Sequence, residues 1–342
     1  MSQQSDELAW LSTVSLLIIG AVALGAALLY TRVVMVPFVL ALLFSYLVSP
    51  IVDGMQTRLR IPRRVSIFFA ILIVLGLMTL LVLLISVSSR EIADSAPIYR
   101  ERLASLAAGL FSVLDRFGVD LGQNDVLEGL KQLPILSLVR STAGGVVSFV
   151  SSGVLVLIFA VFLLAGRQPH EAHGGIYHEI DVKVRRYVVT KVTTSAITGL
   201  FVGLFLTLIG LDLALVFGIL AFFLNFIPNV GSIIATLLPL PLALVQFESA
   251  LPIILVLALP GLVQISVGNV LEPMLMGEGL ELHPVAILIA LVFWGLIWGA
   301  VGMLLAAPIT AVLKIVLGRF ETTRPFAGLL AGQLPDDRPP GE

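Results

Sequence analysis

Glu272, Glu278, Glu281 and His283 fall within NVLEPMLMGEGLELHPVAILIA (269–290), between two strongly apolar runs. Carboxylates and histidines are the side chains that bind and release protons near neutral pH once their surroundings shift them. Glu272 directly precedes Pro273, and a residue before proline is pushed out of the helical region, so a helix ending or kinking at this point is expected. Two readings of Glu272 stand side by side. In one it is an interfacial carboxylate in water. In the other it is a proton or cation site facing a transport path, the coupling candidate of this chain. Glu278 and Glu281 lie in a Gly-containing linker and read as solvated loop charges, and His283 before Pro284 reads as a cap or turn residue. The polar stretch has the makeup of a cytoplasmic hinge rather than of an enzyme site.

A second set of residues carries amides and hydroxyls. Asn225 and Asn229 flank Pro228, Gly231 follows, and Gln264, Ser266 and Asn269 interrupt an otherwise apolar run at about 251–271. Asparagines at a break cap helix ends, and polar side chains in an apolar span serve as packing contacts between helices. The alternative is a binding site, because a broken helix presents free backbone groups to a ligand. An uncharged polyhydroxylated solute is held by hydrogen-bond donors and acceptors, not by a full counter-charge. On that reading Asn225, Pro228, Asn229, Gly231, Gln264 and Asn269 are the candidate substrate-binding residues. Asp212 reads as a helix-start residue favoured by the dipole.

Other chemistries lack their residues. There is no cysteine, hence no disulfide, thiolate metal site or cysteine nucleophile. No G-x-S-x-G, Walker A or H-E-x-x-H motif occurs, which leaves ATP-driven transport and the common hydrolases without support. His170, His173 and His178 with Glu171 and Glu179 form a His-x-x-His loop without further ligands of fixed geometry, a poor zinc signal. Net charge is −2, so no basic surface points to nucleic acid. No enzyme activity, cofactor or metal is expected.

The elements that must position these groups follow from composition. The chain has 342 residues, 58% hydrophobic and only 12% charged, with a mean hydropathy of +1.07. A soluble domain carries about 25% charged residues. Apolar runs of about 18 residues or more span a hydrocarbon core about 30 Å thick. The fold class expected is an all-α polytopic membrane protein in the lipid bilayer. It has about six full spans, at about 12–31, 33–52, 65–88, 144–166, 192–211 and 251–271, plus two Pro/Gly-broken helical hairpins. The first hairpin joins Leu213–Phe226 to Ile233–Phe247 across IPNVGS, the second Pro284–Trp298 to Met303–Leu317 across GAVG. Each arm is 14 or 15 residues, below the shortest crossing length. Interrupted segments of this kind are tolerated only beside protein or water, and mark transporter binding sites. Gly199, Gly203 and Gly210 should let a neighbouring helix approach the fifth span closely.

The expected organisation is 1–88, the first three transmembrane helices; 89–142, an amphipathic extracytoplasmic helical segment; 143–191, the fourth span and a basic cytoplasmic loop; 192–318, a transport region with the two broken hairpins; and 319–342, a cytoplasmic tail. Arg58, Arg60, Arg63 and Arg64 in one loop, and Lys183, Arg185, Arg186 and Lys191 in another, set the orientation, because short basic loops stay in the cytoplasm. Both termini are then cytoplasmic.

NFIPNVGSIIATLLPLPLAL (225–244), GNVLEPMLMG (268–277), LHPVAILIAL and WGAVGMLLAAPITAVLK, in combination over residues 215–317, resemble the autoinducer-2 exporter (AI-2E) family of transporters. The resemblance implies an inner-membrane secondary transporter that exports a small polar furanone-type quorum-sensing signal and works as a homo-oligomer. Other members are assigned Na⁺(Li⁺)/H⁺ antiport, so the resemblance leaves that alternative open. The scarcity of acids within the hairpins and the 251–271 span favours an uncharged solute.

Overall fold

The structure is a computed structural model that describes residues 15–83 except 17, 18, 21, 77 and 81, residue 105, and residues 153–166, 175–276 and 280–333. The expected amphipathic segment at 89–142 (Ser105 excepted), Glu278 and the His170/His173 pair lie outside the described residues. All regular elements among the described residues are helical. In chain order they are α1 (Arg32–Leu59), α2 (Arg63–Leu80), α3 (Gly153–Gly166), α4 (Ile176–Ile209), α5 (Ala214–Leu224), α6 (Val230–Leu237), α7 (Leu240–Gln246) and α8 (Ala250–Ser266). A π turn (Val267–Leu271) follows, then α9 (Glu272–Met276), α10 (Pro284–Leu317) and α11 (Arg324–Ala331). Among the described residues five helical stretches are long and apolar enough to cross a membrane by length and composition, one of them, α10, interrupted at Gly299. Large apolar side chains such as Leu208 and Leu296 stay exposed on them, as lipid-facing positions must. The protein is an all-α polytopic membrane protein.

Two helices extend further than hydropathy indicates. α1 continues to Leu59, through residues expected in the first basic loop. α4 begins at Ile176, so the second half of the expected loop 167–191 is helix. Charged residues at these ends hide the helix from a hydropathy window but do not oppose it, since Arg, Lys and Glu are good helix formers.

By contact the chain divides into two compact units. One is built from the described residues of Met1–Pro50, Leu155–Arg185 and Glu278–Glu342, the other from those of Ile51–Val154 and Arg186–Gly277.

In the first unit α10 is not one rod. Gly299 has φ 64° and ψ −145°, outside the helical region, and the chain turns back there. Built Cβ atoms show how closely it returns: one at Gly302 would strike the Trp294 carbonyl oxygen, and one at Gly295 would lie 2.8 Å from Met303 Cε. Eight residues along a straight helix would separate these groups by about 12 Å. At the open end, Lys314 Nζ donates to the Glu281 carbonyl at 2.7 Å and to its carboxylate at 3.1 Å. A straight helix would hold those residues about 50 Å apart. At the tip, Trp298 Nε1 donates to the Leu28 carbonyl at 3.1 Å, and Ile297, Trp298 and Leu305 pack with Val36, Val39 and Leu43.

Glu281 is therefore not the freely solvated loop charge expected. Its other carboxylate oxygen accepts from Lys183 Nζ at 3.2 Å, and the hydrogen bond from Lys314, then that from Lys183, hold its carboxyl below the usual carboxylate range. Local pattern could not show this, because the partners lie 98 and 33 residues away. His283 does act as a cap, its Nδ1 accepting from Val285 N at 3.3 Å.

The second unit holds the other hairpin, α5 returning through α6 and α7. α5 has 11 residues and is about 16 Å long, far short of a bilayer crossing of about 30 Å. This hairpin too is tied at its open end: Gln246 Nε2 donates to the Gly210 carbonyl at 2.7 Å, and Asp212 N donates to Gln246 Oε1 at 2.9 Å. α5 lies hard against α4, where a Cβ at Gly199 would come within 2.7 Å of the Gly218 carbonyl oxygen. Gly199 and Gly203 thus do what was expected of them. Gly210 does not; it takes φ 80° in the turn after α4, with open space around it. Val202, Leu206, Ala221, Ala235, Val256 and Val263 form the core between α4, the hairpin and α8.

Candidate functional site

The break between α5 and α6 opens onto a cavity of about 570 Å³ within the second unit. Of the residues singled out from sequence, Asn225, Pro228, Asn229, Gln264, Asn269 and Glu272 all line it. Gly231 does not line the cavity. It is buried between the arms, where a Cβ would fall on the Leu224 carbonyl oxygen. Ser266 also lies outside the lining.

Neither asparagine at the break caps a helix with its side chain. Asn225 is buried and its Nδ2 donates to Ser195 Oγ on α4 at 3.1 Å. Asn229 has φ 60° and ψ −54°, at the centre of a tight turn in which Val230 N donates to the Pro228 carbonyl at 2.6 Å. Its carbonyl accepts from Ser232 Oγ at 2.8 Å, which leaves its exposed side chain facing the cavity. The break is thus closed by backbone and serine, and the two amides are directed to other work.

The opposite wall is α8 with its continuation. Gly261, Gln264, Gly268 and Glu272 line it at steps of three or four residues, one helix face. Of the two outcomes expected at Pro273, an end or a kink, the helix does not end there: it continues as α9 after an irregular turn. A proline ring clashes with the carbonyl four residues earlier and supplies no N–H. The chain accommodates this by widening one turn: Glu272 N donates to the Val267 carbonyl, five residues back. The π turn keeps Asn269 and Glu272 on the cavity side, and such turns recur at functional sites.

Gln264 is 7% exposed, and its Nε2 is a buried donor with no hydrogen-bond partner among the described residues. An unmade bond of this kind costs about 1–3 kcal/mol. A ligand oxygen arriving in the cavity would satisfy it.

Glu272 is not an interfacial carboxylate in water. Lys191 Nζ lies 2.7 Å from Oε1 and 2.9 Å from Oε2, and the two side chains are 5% and 20% exposed. The correction follows from α4: Lys191, expected in a basic loop, lies fifteen residues beyond the helix start at Ile176, on a face that turns inward. Tyr187, one turn earlier, is buried with its hydroxyl unpartnered among the described residues.

Sequence reading missed Lys191 and the stripe to which it belongs. Thr190, Lys191, Thr194, Ser195 and Thr198 are all buried. Two of their hydroxyls are satisfied locally, Thr194 Oγ1 on the Lys191 carbonyl and Thr198 Oγ1 on the Thr194 carbonyl, and Ser195 Oγ accepts from Asn225. The signal was present as polar residues at helical spacing in TKVTTSAIT (190–198). It was obscured by placing a loop–span boundary at Lys191. Ser232 and Thr236, which continue the face begun by Asn229, were missed as well. Among the described residues no group of three or more His, Cys, Asp or Glu side chains is placed to hold a metal ion.

This arrangement suits reversible binding of a small polar molecule: amides and hydroxyls around an open cavity, one orphaned donor, and a charge pair that sums to zero. The model of AI-2E family transporters matches residues 16–322. The chain is 32% identical over 310 residues to the AI-2 transport protein TqsA of Escherichia coli K12, covering 87% of this chain and 89% of that protein. It is 31% identical over 320 residues to a protein named as a transport protein in Haemophilus influenzae, covering 87% and 90%. A similar relative in Borreliella burgdorferi is 28% identical over 332 residues, covering 93% and 88%. A family match across nearly the whole chain, over an all-helical fold with a polar cavity at a broken hairpin, means that the chain belongs to the AI-2E family of transporters.

Proposed function

We propose that this protein is a secondary transporter that exports a small, uncharged polar signal, autoinducer-2 or a close analogue, across the cytoplasmic membrane by alternating access. The observation that carries the reading is Gln264, a buried amide donor left unpaired on the wall of a cavity lined by Asn225, Asn229 and Asn269. Such a lining binds hydroxyl and ether oxygens. The relative TqsA, named as an AI-2 transport protein, supplies the signal molecule. The chain moves its solute and does not convert it, works without a cofactor, and assembles as a homo-oligomer. The membrane potential or proton gradient is the energy source.

The deciding experiment compares uptake of labelled autoinducer-2 with Na⁺/H⁺ exchange in vesicles reconstituted with the full-length protein. Signal transport without cation exchange is expected. Asn229→Leu and Gln264→Leu should insert normally and each lose about tenfold in transport, as lost hydrogen bonds of about 1 kcal/mol or a little more require, with Asn229→Ser intermediate. Cation exchange in place of signal transport would select the Na⁺(Li⁺)/H⁺ antiporter reading. Full signal transport by both Leu variants would remove these residues from the site.

Orientation has its own test. Both termini are placed in the cytoplasm by the basic residues flanking the helices. In this cysteine-free chain, a cysteine at the exposed position of Ser105 should react with an impermeant reagent from outside intact cells. One at exposed Thr322 should react only after permeabilisation. The reverse pattern would invert the topology.

A further inference from the structure

We infer that the Lys191 ammonium is a tethered cation, occupying beside Glu272 the place of a free monovalent cation, and that it thereby restricts the cavity to uncharged solutes. The inference rests on the reading of this cavity as the solute site and adds what sets its selectivity. Lys191 Nζ does not sit on one carboxylate oxygen at an angle. It lies 2.7 and 2.9 Å from the two oxygens, astride the carboxylate as a bidentate metal ion would be. One unit of positive charge on one carboxylate leaves no net charge to attract an ion from either side of the membrane.

The rest of the wall is what a hard cation needs. Asn225, Asn229, Gln264 and Asn269, whose amides carry carbonyl oxygens, and Ser232 and Thr236, whose side chains carry hydroxyls, line the same cavity. Oxygen donors of this kind bind Na⁺-like and alkaline-earth ions. A single carboxylate balances one charge, which favours a monovalent ion. Remove the ammonium, and Glu272 becomes a mostly buried carboxylate without a counter-ion. Leaving it so is costly, and binding a free cation is the direct remedy. Tyr187 also faces Glu272, and it carries no positive charge to take the place of Lys191.

The test is thermal unfolding of the purified full-length protein at about pH 8, where a carboxylate has little tendency to take a proton instead. NaCl is compared with choline chloride at equal ionic strength, about 0.15 M. The wild-type midpoint should differ by less than about 1 °C between the two salts. Lys191→Gln should unfold about 3–6 °C higher in Na⁺ than in choline, because a ligand that binds only the folded state raises its stability. The double variant Lys191→Gln/Glu272→Gln should lose that response, and Lys191→Arg should match the wild type. Recovery of folded Lys191→Gln only when Na⁺ is present throughout purification supports the inference equally. A salt-independent midpoint in folded Lys191→Gln overturns it, as does failure to recover that variant in either salt. A Na⁺ response that persists in the double variant, or appears equally in the wild type, also overturns it by placing the ion elsewhere. These readouts involve no solute. Failure of the solute-site reading would show instead as full signal transport by Asn229→Leu and Gln264→Leu.

Discussion

Gly231→Ala should destabilise the protein by about 3 kcal/mol or more, or prevent its recovery altogether, although it adds a single methyl group. Overpacking in a core costs about 1–3 kcal/mol when neighbouring side chains can shift. Here they cannot. The added Cβ would fall on the Leu224 carbonyl oxygen, 2.7 Å from the Leu224 carbonyl carbon and 3.2 Å from Ile227 Cβ. Two of those three are backbone atoms of the first arm, and they move only if α5 and α6 part. Parting them opens the break that places Asn225 and Asn229 at the cavity. Gly76→Ala is the control. Gly76 lies in a helix with nothing within 4 Å of a built Cβ, so alanine there should be neutral or stabilising by up to about 1 kcal/mol. Unfolding midpoints in one detergent compare the two. Equal stability of Gly231→Ala and wild type would mean that the arms do not approach as closely as the structure has them.

The hairpins were legible in the sequence because their signal is local. Runs too short to cross a bilayer, joined at Pro228 and at Gly299, leave few alternatives to a chain that turns back. The amides around the first break were legible for the same reason: polar groups stand out in an apolar run. What closes each hairpin was not legible. Gln246 meets Gly210 and Asp212, and Lys314 meets Glu281, across more than thirty residues, and nothing in the neighbourhood of any of these residues marks its partner. Pro273 misled in a more instructive way. Its effect on the preceding turn was read as a helix end or a kink, with nothing local to choose between them, and a widened turn meets the same steric demand without breaking the helix. The boundary of α4 misled most. A window average treats Lys191 as the last charge of a loop. Helical periodicity treats it as the second member of a polar stripe, and the structure follows the periodicity. With Lys191 in the wrong place, Glu272 had no visible partner, and water was the natural one to assign.

That reassignment reverses the expected result for Glu272→Gln. A carboxylate at an interface would tolerate the change, since glutamine keeps its shape. A carboxylate held by a Lys191 that is 5% exposed would not, because the change strands a buried ammonium. Breaking a buried pair from one side costs about 3–5 kcal/mol, whereas replacing both members is often close to neutral. In Na⁺-free buffer, Glu272→Gln and Lys191→Met should therefore each lose about 3–5 kcal/mol of stability. Lys191→Met/Glu272→Gln should lose less than either, a coupling of at least about 2 kcal/mol, well beyond the few tenths seen between independent sites. Transport should follow the same order if the cavity recognises its solute through amides. The singles should lose signal transport with their folded structure, and the double variant should retain a substantial part of it. Strict additivity of the two single losses would show that the ammonium and carboxylate do not depend on one another. Full stability of Glu272→Gln alone would return this glutamate to the water in which the sequence had placed it.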